Sequence, residues 1–93
     1  MRGYIYSISC KIKDKDYEYI GSTLNFSRRM KEHKRLSKNK DRKIYNIIRK
    51  CGGWSFFECD IIDIENYKSV KELRKKELAI IKILAPNMNV LGC

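Results

Sequence analysis

The sequence predicts an α+β fold, a small three-stranded antiparallel sheet flanked by about three helices. Three observations carry this expectation. Two short β-rich runs, Tyr4 to Ile12 and Tyr17 to Ser22, are joined by the polar stretch Lys13-Asp14-Lys15-Asp16, the pattern of an antiparallel hairpin. An aromatic and β-branched run from Trp54 to Asp63 supplies a third strand. Between and after these runs, apolar residues recur at helical spacing.

In the first strand Tyr4, Tyr6, Ile8 and Cys10 share one face, so Tyr6 is expected to meet Tyr19 across the hairpin. Asn25 is a suitable N-cap for a basic helix running to about Leu36, because its side-chain oxygen can accept from an orphan backbone amide. Ile44, Ile47, Ile48 and Cys51 mark a second, short helix. Gly52-Gly53 supplies a residue able to turn left-handed at its end. In the third strand Phe57, Cys59 and Ile61 fall on one face. Ser69-x-x-Glu72 is a capping-box pattern that opens a long helix, and Pro86 ends it near Leu84. The tail from Asn87 to Cys93 reads as irregular or a short strand.

With 93 residues the chain is expected to form one domain over 1–93, with no separate DNA-binding domain. At 43% hydrophobic and 34% charged residues it is too apolar for a disordered chain. No apolar run approaches the roughly 20 residues that cross a bilayer, and Met1-Arg2-Gly3-Tyr4 lacks a signal peptide's apolar core. The expected location is intracellular, with cytoplasm and nucleus left open. The cysteines at 10, 51, 59 and 93 form no Cys-x-x-Cys pair and have one His beside them, so reduced packed thiols are expected over a zinc set.

The net charge is +10, and its distribution is uneven. Between Asn25 and Lys50 lie eleven basic residues against Glu32 and Asp41, which leaves nine of the ten net charges in that stretch. A merely solvated surface mixes its signs; an anionic membrane is another polyanion, but nucleic-acid phosphate is the favoured partner. Lys34, Arg35, Lys40, Arg42 and Lys43 are the expected phosphate contacts, although Lys34 to Lys43 also has the composition of a nuclear-import signal.

On the last helix Leu73, Ile80, Ile81 and Leu84 fall within an arc of roughly 100° from Val70, and Glu77 lands near its centre. A carboxylate there must reach solvent, pair with a cation, hold a metal or be neutralised. A salt bridge is the plain alternative to a functional acid at the rim of a cleft. A lone acid among phosphate-binding residues can hold Mg²⁺, which favours few carboxylates and several waters. Arg29 and His33 are four apart, hence on one helical face, where a guanidinium can clamp phosphate beside an imidazole. His33 otherwise reads as an ordinary surface residue.

Tyr4-Ile5-Tyr6, then Tyr19-Ile20-Gly21-Ser22-Thr23, then Arg29, His33, Glu77 and Asn89 in order, resemble the GIY-YIG nuclease domain over nearly the whole chain. One departure is that Tyr4 stands at the first motif's glycine. The resemblance implies a metal-dependent endonuclease that hydrolyses DNA phosphodiesters at one site with a single divalent ion. Mg²⁺, or Mn²⁺ in its place, would rest on Glu77. Tyr6 would be the general base or water activator, with Tyr19 in support. A tyrosine of pKa about 10 needs help from cations or a metal to serve at neutral pH.

In this scheme Arg29 stabilises charge on the phosphoryl oxygens, and His33 orients water or relays a proton through Tyr6. Asn89 braces the site or contacts phosphate, and Lys43 resembles a basic residue placed near the scissile phosphate. The expected substrate is double-stranded DNA. One site cuts one strand, so the expected state is a monomer or a transient homodimer. The competing reading is a non-catalytic basic module that binds DNA or RNA on the same scaffold. Tyr45, Trp54, Tyr67 and the phenylalanines are expected to be packing residues, with base stacking as their alternative.

Overall fold

The structure, a computed structural model, describes residues 1–89. The strands β1 (Arg2–Ile12) and β2 (Lys15–Thr23) form a hairpin. They are followed by helices α1 (Phe26–Leu36) and α2 (Lys43–Lys50), a 3-10 turn (Trp54–Phe56), strand β3 (Glu58–Asn66) and helix α3 (Val70–Leu84). The three strands make one antiparallel sheet in the order β2-β1-β3, and the three helices complete the α+β architecture among the described residues.

The hairpin is tighter than the sequence predicts. Ile12 pairs with Lys15, so Lys13 and Asp14 alone make the turn, with Lys13 at φ 56°. The lysines and aspartates flanking it carry no apolar alternation, which hides the strand ends from a pattern reading. The third strand also shifts: Trp54–Phe56 is a 3-10 turn, and pairing with β1 starts at Glu58 and runs to Asn66. Trp54 and Phe57 pack against the core, whereas Phe56 is exposed, a correction to the expectation that the phenylalanines pack.

Both faces of the central strand are covered, because β1 alternates two apolar sets. Tyr6 and Ile8 pack with Ile44, Tyr45, Ile48, Phe57 and Met88 on one face; Cys10, Cys51 and Cys59 are half-buried against that cluster. Ile5 joins Ile20, Tyr67, Leu73 and Ile81 on the other. Helix α1 starts at Asn25, whose side chain accepts from the Arg28 amide, and α3 starts at Ser69, which accepts from the Glu72 amide at 3.3 Å. Gly52 turns left-handed after α2 at φ 109°. Leu73 and Ile81 are the buried residues of α3, whereas Val70 and Leu84 are exposed, so its apolar stripe is narrower than the sequence suggests.

The tail after α3 crosses to the outer edge of β2. Met88 donates its amide to the Glu18 carbonyl, and the Asn87 side chain bridges Glu18 and Asp16. Asn89 accepts from the Ile20 amide at 2.9 Å and donates to the Ile20 carbonyl at 2.8 Å. Backbone groups that would otherwise form an open edge are thus paired. The expected tail beyond residue 89 lies outside the described residues.

Candidate active site

The site is assembled where β1, β2, α1 and α3 converge. Tyr6 pairs in register with Gly21 and Ile8 with Tyr19, so the two phenols share a face diagonally, with ring centroids 6.4 Å apart. A bulge in β3 opposite Ile5 and Tyr6 shifts the pairing by one residue, the kind of local kink that re-aims a neighbouring side chain. Gly21 gives the Tyr6 ring its room: a Cβ there would lie 2.5 Å from Tyr6 Cζ and 3.0 Å from Tyr19 Cε2. Gly21→Ala is therefore expected to displace the Tyr6 ring and lower any activity by about 10²-fold. Turnover of the variant, compared with its melting temperature, separates displacement from unfolding.

His33 is 0% exposed, the most enclosed polar side chain of the site. Its Nε2 lies 2.8 Å from Tyr6 Oη and its Nδ1 lies 3.0 Å from Tyr45 Oη. The Trp54 ring stacks on the imidazole, with planes 18° apart. Burial, and then the Arg29 cation, push the His33 pKa down to about 4, so the ring is neutral at pH 7. The surface-His alternative is excluded. The ring is enclosed, and its Nε2 faces the Tyr6 hydroxyl.

Burial and the neighbouring Tyr19 raise the Tyr6 phenol well above its ordinary value, an effect opposed by the Arg29 guanidinium. Burial and the Glu77 carboxylate raise Tyr19. Both phenols are therefore protonated at neutral pH. Glu77 sits one helical turn from Leu73 and one from Ile81, the buried residues of α3, so it shares their inner face. Its charge reaches Tyr19 and, less strongly, Tyr6, and acts to raise both phenols. Arg29 is half-buried and ion-paired with Glu32 one turn on, so an incoming phosphate has a carboxylate to displace.

The other expected contacts divide. Lys34, Arg35, Lys40 and Arg42 are exposed along the end of α1 and the following loop. Arg42 is near enough to lower the pKa of Tyr19 and Tyr45 against the burial that raises both. Lys43 is exposed at the start of α2 and donates to the Asn89 carbonyl at 3.1 Å, so it tethers the tail in this structure. Asn89 is buried with its amide paired to Ile20. That makes it a brace on β2, the first of its two expected roles. Arg49, part of the basic run, folds back to the carbonyls of Ser37 and Lys40.

Sequence reasoning missed three participants: Tyr45 as a partner of His33, Trp54 as its stacking plate, and Glu32 as the counter-ion of Arg29. Tyr45 and Trp54 come from elements distant in sequence, and their packing role was legible where their polar role was not. Glu32 was visible at a spacing of three from Arg29. Among the described residues no group of three or more His, Cys, Asp or Glu is gathered to hold a metal, and no helix is long and apolar enough to cross a membrane.

A family model described as the GIY-YIG catalytic domain matches residues 2–89. Neither a curated protein nor a solved structure matches the chain.

Proposed function

The chain belongs to the GIY-YIG catalytic domain family, a nuclease-type family, and from that premise we propose that it is a metal-dependent endonuclease cleaving double-stranded DNA. What supports this reading is that the Glu77 carboxylate and the Arg29 guanidinium act with opposite sign on the same two phenols, Tyr6 and Tyr19. A module that only bound phosphate would gain nothing from a half-buried carboxylate in that position, because it repels the ligand.

The donor set supports the choice of metal. One carboxylate with no cage of further ligands suits a hard ion that keeps several waters, hence Mg²⁺ or Mn²⁺ on Glu77. When bound, such an ion supplies Lewis acidity and positive charge at the reacting phosphate. The protein's own groups do the rest. Arg29 exchanges Glu32 for a phosphoryl oxygen and stabilises the negative charge that builds there. Tyr6 Oη, held by His33, accepts a hydrogen bond from the attacking water. Tyr19 flanks the same space. Exposed Lys34, Arg35, Lys40 and Arg42 seat the phosphate backbone.

The test is relaxation of supercoiled plasmid by the protein with Mg²⁺ or Mn²⁺, with and without chelator. Nicking that needs the ion supports the reading. Salt-sensitive DNA binding without any nicking would overturn it in favour of the non-catalytic module.

A further inference from the structure

We propose that Tyr4 and Phe26 form a stacking site for the nucleobase next to the phosphate bound by Arg29. The role rests on the endonuclease reading and deepens it, adding a base contact to a set of phosphate contacts. Tyr4 stands where the family motif has glycine, so its ring is a feature of this chain that the proposed chemistry does not use.

Alternation along β1 puts Tyr4 on the face of Tyr6. The register sets it between Thr23 on β2 and Ile64 on β3. There an open groove of about 390 Å³ is lined by Tyr4, Leu24, Asn25, Phe26, Ser27 and Ile61. The lining carries no charge. Leu24 is 44% exposed, Ile61 41% and the adjoining Ile64 49%, while Tyr4 and Phe26 are half-buried. Apolar groups left in water at one place, with two aromatic rings among them, suit a flat ligand that covers them.

The choice of occupant follows from what adjoins the groove. Phe26 meets the Tyr6 ring edge-on, with centroids 6.0 Å apart, so the groove is continuous with the candidate active site. Phe26 and Arg29 are three apart on α1, with about 5–6 Å between their Cβ atoms, a span that one nucleotide bridges from base to phosphate. Arg28, next to Ser27, is exposed and adds a second cation. An uncharged aromatic groove with guanidinium at one end fits a nucleotide, its base on the rings and its phosphate on Arg29. A duplex must release one base to fill the groove, which costs least at a mismatched or already single-stranded position. A second copy of the chain is the poorer occupant. Strand β3, which supplies Ile61, also bears Glu58, Asp60, Asp63 and Glu65, so pairing two β3 strands would set acids beside acids.

The test compares two ligands of equal phosphate count without metal, single-stranded tetradeoxyadenylate and an all-abasic tetramer of tetrahydrofuran units, followed through the methyl NMR signals of Leu24 and Ile61. Wild type is expected to bind tetradeoxyadenylate about tenfold more tightly, with ring-current shifts of those methyls in that complex alone. Tyr4→Leu, which keeps an apolar side chain and loses the ring, is expected to bind the two ligands alike, and Tyr4→Phe to keep the difference. Equal affinities in wild type, or a difference that survives in Tyr4→Leu, would overturn the proposal. So would methyl shifts that follow protein concentration without ligand, which would give the groove to a second copy. No cleavage enters the measurement, so a failed plasmid assay removes the nuclease reading while the tetramers still decide the base site. Should Tyr4→Leu fold poorly, the wild-type affinities and methyl shifts decide it.

Discussion

Glu77→Ala is expected to abolish strand cleavage, by about 10³-fold or more, equivalent to about 4 kcal/mol of transition-state stabilisation, while DNA binding and thermal stability persist. The separation follows from how the acid is held. It shares the inner face of α3 with Leu73 and Ile81, which carry the packing. Glu77 takes no part in the Arg29–Glu32 and Lys76–Glu65 ion pairs, so its removal breaks neither. Its negative charge raises the pKa of two neighbouring phenols. Deleting it removes a charge that those neighbours do not neutralise, and takes away the carboxylate proposed to hold the ion. Plasmid relaxation, gel-shift affinity and melting temperature measured on one preparation test the three parts together. Undiminished cleavage by the variant would remove Glu77 from the site.

The second large effect is a loss of stability on mild acidification, traced to His33. An unfolded histidine titrates near 6.5, whereas burial and Arg29 hold the folded one near 4. Between those values the unfolded chain binds more protons than the folded one, so stability rises with pH across the window. The contribution is fully present above about pH 6.5 and is lost as pH falls toward 4. The shift corresponds to roughly 3 kcal/mol, a large share of what a domain of this size possesses. Urea unfolding at pH 7, 5.5 and 4.5 should show the decline. The ¹³C shift of the single imidazole should have its midpoint near 4. A midpoint near 6.5 would mean that the ring reaches solvent, which would remove the relay as well.

Several site features could be read before any coordinates. The order of Tyr6, Tyr19, Arg29, His33 and Glu77 is a linear property, and the starts of α1 and α3 were marked by capping side chains that the structure uses, Asn25 and Ser69. The misfit of Glu77 was legible because an acid inside an apolar period violates the rule that shapes the helix. The limits of the hairpin and of β3 were not legible. Their ends are polar or aromatic residues whose pairing depends on a neighbouring strand rather than on their own pattern.

What the sequence by itself determined is therefore the set of local elements, the family, and the identity of the chemical groups, because periodicity, capping and motif order act over a few residues. Only the tertiary structure decided what those groups do to one another. It enclosed His33 and joined it to Tyr45 across twelve residues, set Asn89 as a brace sixty-nine residues from its partner, and tied Lys43 to the tail. The physical reason is that desolvation and hydrogen-bond direction depend on which surfaces meet, and a side chain's partners can lie anywhere along the chain.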